Sequence, residues 1–544
     1  MILGRNRWTG PASESGGRPC GSCPGGDGYL RFIDKGPRPA LKGKPGDDRG
    51  PAKTTAFRKA MSGIKPFGAP VGLLVVLLMA AGLPARAEFQ PHLFPGRDRA
   101  DFNPSVVSVP AETYSTGAEA RPRPWIAAAE VTGINIGVWT FDRYALNRDY
   151  AHISWSSVKH NLSEGFILCP DTFPTSFFGH PYHGSQYFNA ARSLGMPFWE
   201  SIPYGAGGYL TWGFIFENDL PSFNDLVMTT LGGMCLGELE YRLSSQVLDD
   251  SAVGGARVGR EILAFLIDPI RGFNRLIYGD LGRTGSINRQ RREPLQGYLA
   301  LGGQLVSDSF QLTRLRFSPG LGFEVVYGMD SSDIVSGHPF DLIFLSGGVR
   351  TDQKKGYFDL STYGPWMSRE WEGGRGSKYL VGLFQHFDYL NNEVLHLGGT
   401  STTAGFVSLV PLGGGAVLRG SVQAGGLLLG GVKNQYVHVE DRDYNYGLGA
   451  TAKIEAWLSH PSLGTLSVHF SRFWFKAVHA TGEVDADESH DGLTLLQVRY
   501  SVPFSSNWAI ALDYGLFARR QSFEGHPDAS GDLSRVGLAL EWHL

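Results

Sequence analysis

The residues able to do chemistry are concentrated in HPYHGSQYFNAARSLG, residues 180–195, where two histidines, two serines, an asparagine and an arginine interrupt an apolar background. Pro181 biases His180 away from helical backbone and itself suits a first helical position, so a helix is expected to open here with His180 as its cap. On that helix Ser185, Asn189 and Arg192 recur at i, i+4 and i+7 and share one face. Further along, Glu200 lies in FWESIPYGAGGYLTWGFIFE, and Asn224, Asp225 and Glu238 lie in PSFNDLVMTTLGGMCLGELEYRLSSQVL. Glu238 and Arg242, four residues apart, are spaced to pair on one helix face. The candidate cluster is therefore His180, His183, Asn189, Arg192, Glu200, Asn224, Asp225 and Glu238, and several helices must converge to build it.

Three chemistries fit these residue types. Two histidines with Glu200, Asp225 or Glu238 are acceptable metal ligands, but His180-Pro181-Tyr182-His183 lacks the H-E-x-x-H spacing of a zinc hydrolase, so neither a metal nor a cofactor is expected. A hydrolase would use His183 as base, Ser185 or an activated water as nucleophile, and Asp225 or Glu238 to orient the base. No G-x-S-x-G elbow accompanies them. The favoured reading is that these groups satisfy one another where apolar helices meet, because a buried polar group without a partner costs about 1–3 kcal/mol.

The elements that must position these residues follow from the hydrophobic period. Over residues 122–284 the spacing is helical, with six candidate helices that begin near residues 124, 153, 180, 198, 221 and 257. Gly205, Gly207, Gly208, Gly232, Gly233 and Gly237 would let such helices approach closely. Over residues 290–544 the period changes to two. In WAIALDYGLF, for example, Trp508, Ile510, Leu512, Tyr514 and Leu516 alternate with small or polar residues. Twelve such segments end in turn residues, and Lys453, Glu455, Gln497, Arg499, Asp513 and Glu541 alternate with apolar positions, which predicts a transmembrane β-barrel with a polar interior. Closure removes the open sheet edges that a bilayer forbids. His469 and Ser471 are expected to point inward, since Val468 and Phe470 claim the lipid face.

Upstream, VGLLVVLLMAAGL (71–83), with basic residues before it and Ala85-Arg86-Ala87 after it, has the layout of an export signal over residues 61–87. Residues 1–60 are rich in glycine and proline and read as a non-native or disordered extension, which removes Cys20 and Cys23 from consideration as a redox or zinc pair. Residues 88–121 read as a linker. Cys169 and Cys235 remain, and two cysteines alone do not define a disulfide. A net charge of −3 over 544 residues excludes a basic nucleic-acid binder.

The fold class expected is thus α+β, an N-terminal helical bundle followed by a C-terminal antiparallel β-barrel of about twelve strands in the bacterial outer membrane. The bundle is expected on the periplasmic side, docked to the barrel or partly plugging it. The favoured function is binding of a lipid or envelope partner by the helical domain. The alternatives are an enzyme modifying lipid or lipopolysaccharide, and a small-solute channel. Expected partners are outer-membrane lipids or lipopolysaccharide and, during biogenesis, the barrel-assembly machinery.

The runs HPYHGSQYFNAARSLGMPFWES, PSFNDLVMTTLGGMCLGE, GFNRLIYGD and LVGLFQHFDYL resemble an uncharacterised bacterial family of predicted outer-membrane proteins known only as a domain of unknown function. The resemblance covers residues 122–400 and rests on His180, Pro181, His183, Gly184, Asn189, Arg192, Trp199, Glu200, Asn224, Asp225, Gly237, Glu238, Asn274, Arg275, Asp388 and Tyr389. It implies an envelope location and a barrel, and it supplies no activity or catalytic residue.

Overall fold

The structure, a computed structural model, describes residues 123–544 apart from 169–170, 284, 286–291, 313, 353–354, 435, 437–442 and 478–488. The extension, export signal and linker expected upstream, and Cys169, lie outside the described residues. Cys235 is a buried free thiol.

Twelve antiparallel strands close into a barrel, each pairing with its sequence neighbours and β1 with β12. They are β1 (Leu295–Ser307), β2 (Arg316–Tyr327), β3 (Ile343–Asp352), β4 (Lys355–Glu372), β5 (Lys378–Asn391), β6 (His396–Pro411), β7 (Val417–Lys433), β8 (Tyr444–His460), β9 (Gly464–Ala477), β10 (Ser489–Pro503), β11 (Trp508–Phe523) and β12 (Ala529–His543). Hydrogen bonds between strands that are not neighbours identify the interior. Trp457 on β8 donates to Glu324 on β2 (2.9 Å), Arg419 on β7 to Gln296 on β1 (2.8 Å), and Lys453 on β8 to Asp388 on β5 (2.8 Å). His469 lies inside as well, 3.5 Å from Glu324 and 3.6 Å from Glu455. Alternation then sends the intervening residues outward. Ile454, Tyr500, Ile510, Leu512 and Leu538 stand exposed on the outer wall, as lipid-facing strands require.

The helical domain precedes the barrel. Its helices are α1 (Pro124–Thr140), α2 (Trp155–Glu164), α3 (His180–Arg192), α4 (Phe198–Thr211), α5 (Phe223–Val227), α6 (Gly233–Val247), α7 (Gly254–Ile267) and α8 (Pro269–Ile277). The long fifth helix read from the sequence is broken between α5 and α6 by a π-helical turn at Met228–Gly232, and the sixth is broken by Asp268-Pro269, where Asp268 caps α8 by accepting from the Arg271 N–H at 2.9 Å.

The bundle does not plug the barrel. On β5, His386 and Asp388 face the interior, so Gln385, Phe387 and Tyr389 face outward, yet all three are buried. The same holds along one hydrogen-bonded row across the wall. Val325, Leu345, Thr362, Phe387, Thr400 and Leu429 stand opposite one another in turn on β2 to β7, and Tyr444 and Tyr446 continue the covered patch on β8. These outward residues share one core with Phe177, Phe178, Phe188, Met228, Met234 and Cys235 of the helical domain. The helices therefore pack against the outside of the barrel. Phe177 is wedged into a groove made by two strand glycines: a Cβ on Gly398 would lie 2.3 Å, and one on Gly431 2.1 Å, from Phe177 atoms. Any larger residue at those positions would evict the ring.

Candidate functional site

The helical domain brings the polar residues together as three groups rather than one, the first half-buried and the other two buried. In the first, His180 at the start of α3 places Nε2 3.5 Å from Asp225 Oδ1 and 3.7 Å from Asp171 Oδ2. Asp225 is held by the Ser222 hydroxyl and by Asn224 Nδ2 at 2.8 Å. Asn224 also donates to the Tyr446 hydroxyl of the barrel at 2.9 Å, and Tyr444 donates to the Asp171 carbonyl at 2.9 Å, so the group sits on the seam between helices and barrel wall. Glu217 completes the surroundings and accepts from Trp212 Nε1 at 2.9 Å. A π-helical turn adjoins each contributing segment: Thr175–Gly179 before His180, Trp212–Phe216 before Glu217, and Met228–Gly232 after Asp225's short helix. Such turns recur at functional sites because the extra residue re-aims a side chain.

The electrostatics of this group are set by burial and by neighbouring charge. Burial opposes the imidazolium of His180, but Asp225 and Asp171 outweigh it and push its pKa up to about 9. Burial raises Glu217 to about 8; His180 opposes this, and Asp225 and Asp171 add to it. Both groups bind their proton more tightly folded than unfolded. The stability they contribute is therefore complete at low pH and is lost as pH rises, for His180 from its ordinary 6.5 through about 9. The helical domain is expected to melt progressively lower between these pH values, and His180→Gln to shrink that fall. A melting temperature independent of pH across the window refutes the assignment.

In the second group Glu238, fully buried on α6, is clamped by two arginines. Arg192 Nε donates at 2.8 Å and Arg242 Nε at 2.7 Å, and burial, which opposes its charge, is outweighed so that its pKa stays below the usual range. Arg242 also reaches Asp341 in the β2–β3 loop at 3.1 Å. In the third, Glu240 accepts from Ser185 (3.0 Å), Gln186 (3.2 Å) and Asn189 (3.1 Å). Burial, followed by the charge of Asp268, pushes its pKa well above the usual carboxylate value, against the hydrogen bonds from Ser185, Gln186 and Asn189.

Set against the sequence reading, His180, Asn224 and Asp225 meet, Arg192 and Glu238 meet elsewhere, and Asn189 turns to Glu240. Glu200 stands exposed in the first turn of α4 and belongs to none of them, since it is Phe198 of that turn, against Phe188 (ring centroids 5.7 Å), that faces α3. His183 lies against Tyr187 (ring centroids 4.5 Å) and Trp212 (5.6 Å), and burial together with the charge of His180 lowers its pKa to about 3, leaving it neutral. Ser185 Oγ lies 2.8 Å from the Tyr182 carbonyl and 3.0 Å from Glu240, the two acceptors in reach of its single hydrogen, so the base and hydroxyl of the hydrolase reading are not assembled as a pair. Asp171, Glu217 and Glu240 were missed. Glu240 follows Glu238 by two residues, which on a half-buried helix would turn it to solvent, but α6 is buried on nearly all sides.

Among the described residues, Asp171, His180 and Asp225 each offer a ligand atom within 4.8 Å of the others, a spread that a cation bound at about 2.1 Å could bridge with modest movement. The same arrangement suits an ammonium group, which two carboxylates would accept. The seam itself is testable. Tyr446→Phe removes the hydroxyl that joins Asn224, Ser176 and Tyr444, and it should destabilise docking of the helices by about 1–2 kcal/mol, read as a lower denaturant midpoint for the helical domain. An unchanged midpoint would mean the hydroxyl network carries none of the docking.

A closed barrel with a polar interior and an apolar outer wall is an outer-membrane β-barrel, here carrying a helical domain on its outside. Residues 165–270 match the model of the family described as Domain of unknown function (DUF3943), a span that holds the site-bearing helices and stops short of the barrel. No curated protein matches the chain. Among solved structures, an outer membrane channel from Pseudomonas putida F1 is 8% identical over 47% of this chain and 96% of its own, with a TM-score of 0.27. OmpT, an outer membrane protein of Vibrio cholerae, is 9% identical over 47% of this chain and 100% of its own, at 0.18. A mutant of the TodX monoaromatic hydrocarbon channel is 8% identical over 46% and 88%, also at 0.18.

Proposed function

We propose that this is an envelope protein whose helical domain binds a lipid of the outer membrane beside the barrel wall, with the His180 group receiving the headgroup. The observation that carries the reading is the position of that group, on the seam between the helices and the lipid-side face of β8. Asp171 and Asp225 are acceptors for a headgroup ammonium, and His180 is a donor for the adjoining phosphate. A zwitterionic phosphoethanolamine headgroup offers both.

The channel reading is less well supported. Side chains from opposite walls meet across the lumen, as Arg419 on β7 does with Gln296 on β1 at 2.8 Å and Trp457 on β8 with Glu324 on β2 at 2.9 Å.

The test is native mass spectrometry of the full protein extracted from outer membranes, beside Asp225→Asn and His180→Gln. Wild-type protein is expected to retain a phosphoethanolamine-bearing lipid that both variants lose. Equal lipid content in all three, or none in any, defeats the proposal. Ohmic currents in planar bilayers would favour the channel.

A further inference from the structure

We propose that the outer surface of the helical domain is itself a lipid-contacting surface, immersed in the hydrocarbon of the outer membrane alongside the barrel. Three observations carry this independently of lipid binding at the His180 group.

The first is where the domain docks. It covers outward residues of β2 to β8, and the positions that flank the covered row on the same strands, such as Val381 and Leu383 on β5, are exposed and apolar like the rest of the barrel's lipid face. The helices thus occupy space that lipid occupies elsewhere around the wall, and their free surface continues that of the barrel.

The second is the surface of the helices. On α1, α7 and α8 every exposed position is uncharged. Ile136, Val258, Ile262, Phe273, Leu276 and Ile277 are among them, each between 47% and 58% exposed. A water-facing surface is commonly a quarter to a third charged, and a monomer rarely leaves an apolar patch of this extent bare. Where α1 does expose hydroxyls, each bonds back to its own helix, Thr132 to the Ala128 carbonyl at 2.9 Å and Thr140 to the Ile136 carbonyl at 2.6 Å. This leaves no polar hydrogen on those side chains for solvent.

The third is that the charges of these same helices turn inward. Arg275 pairs with Glu261 at 2.7 Å, Arg257 donates to the Leu281 carbonyl at 2.9 Å, and Arg271 donates to the Tyr241 carbonyl at 2.8 Å. Among the described residues no helix is long and apolar enough to cross a membrane, so the helices lie against the barrel rather than span. Several helix ends run on into π-helical turns, as α1 does into Phe141–Leu146 and α4 into Trp212–Phe216, which keeps backbone groups bonded where water is absent. Exposed Lys159, His160 and Glu164 confine α2 to the polar boundary, with Lys159 over the Trp155 ring at 5.7 Å.

The experiment uses the full protein in liposomes of phosphatidylethanolamine and phosphatidylglycerol, spin-labelled singly at Ile136→Cys, Ile262→Cys or Leu276→Cys. Collision with oxygen is compared with collision with a water-soluble nickel chelate. Leu538→Cys, on the barrel's lipid face, and Glu524→Cys, in an exposed loop, give the two reference ratios. The three helix positions are expected to match Leu538, and Lys159→Cys to lie nearer Glu524. Helix positions that match Glu524 overturn the proposal. So does exclusion of both reagents together with dipolar broadening between copies, which would assign the face to a second copy of the chain. Because a label can perturb packing, Ile262→Asp is compared with Ile262→Ala: membrane assembly should fail only for the aspartate, and equal assembly of both counts against immersion.

Discussion

Replacing Glu238 by glutamine is expected to destabilise the helical domain by about 3–5 kcal/mol, the range for breaking a buried ion pair by removing one partner. The carboxylate is fully buried and joins Arg192 on α3 to Arg242 on α6, and through Arg242 to Asp341 of the barrel loop. Glutamine keeps the shape but leaves two guanidinium groups with too little negative charge in a site closed to water. Arg192 would retain the Met196 carbonyl and the Tyr241 ring, 4.3 Å from its guanidinium carbon, and Arg242 would retain Asp341, so the loss is large without being total. Denaturant unfolding followed by tryptophan emission reads it. The decisive control replaces all four charges, Glu238→Met with Arg192→Met, Arg242→Leu and Asp341→Asn, since Arg242→Leu alone would strip the buried Asp341 of its cation. If the clamp matters because it leaves no charge unmatched, the quadruple variant recovers most of the stability lost in the single one. A quadruple variant weaker than Glu238→Gln would show that the pairs themselves bind the helices together.

The second large effect is expected at Gly184. A Cβ there would lie 1.9 Å from the Thr229 carbonyl oxygen, and one on Gly233 would lie 2.6 Å from the Gly184 carbonyl carbon. The backbones of α3 and the turn leading into α6 are in direct contact, so no rotamer relieves the overlap. Gly184→Ala must push the helices apart, which stretches the Ser185–Glu240 and Arg192–Glu238 bonds along the same interface. A loss of about 4 kcal/mol or more is expected, seen as protease sensitivity of the helical domain with the barrel still folded. Gly207→Ala on α4 is the control. Nothing lies within 4 Å of its added methyl, so helix propensity alone acts, and that favours alanine by about 1 kcal/mol. If Gly184→Ala were as stable as Gly207→Ala, the close approach would be dispensable.

The barrel was legible because alternation over a dozen segments has few other solutions, and charges such as Lys453 and Glu455 at every second position marked the interior. The helices were legible from their period, but their docking was not. Phe387, Tyr389 and Leu429, covered by helices, are chemically the same as residues that face lipid, so pattern alone cannot separate them. One signal was present and unused: Gln385, Thr400 and Thr402 sit at outward positions, where bare polar groups would be costly, and they bond to one another under the helices. The site was legible in residue type and not in grouping. Helical spacing placed Asn224 and Glu238 on one continuous helix, but the π-helical turn at Met228–Gly232 shifts the face between them, and nothing in the local residues announces it. Glu240 was hidden by the assumption that α6 has a wet side.

The covered row runs from β2 to β8, and the core beneath the helices reaches the closing seam, where Leu295 and Leu299 on β1 and Trp542 on β12 pack against it half-buried. The helices are synthesised before the strands they rest on, yet their resting place exists only once those seven strands have paired. The meeting of the last strand with the first therefore completes part of the apolar surface on which the helices lie, so closure of the cylinder and settling of the helices each favour the other.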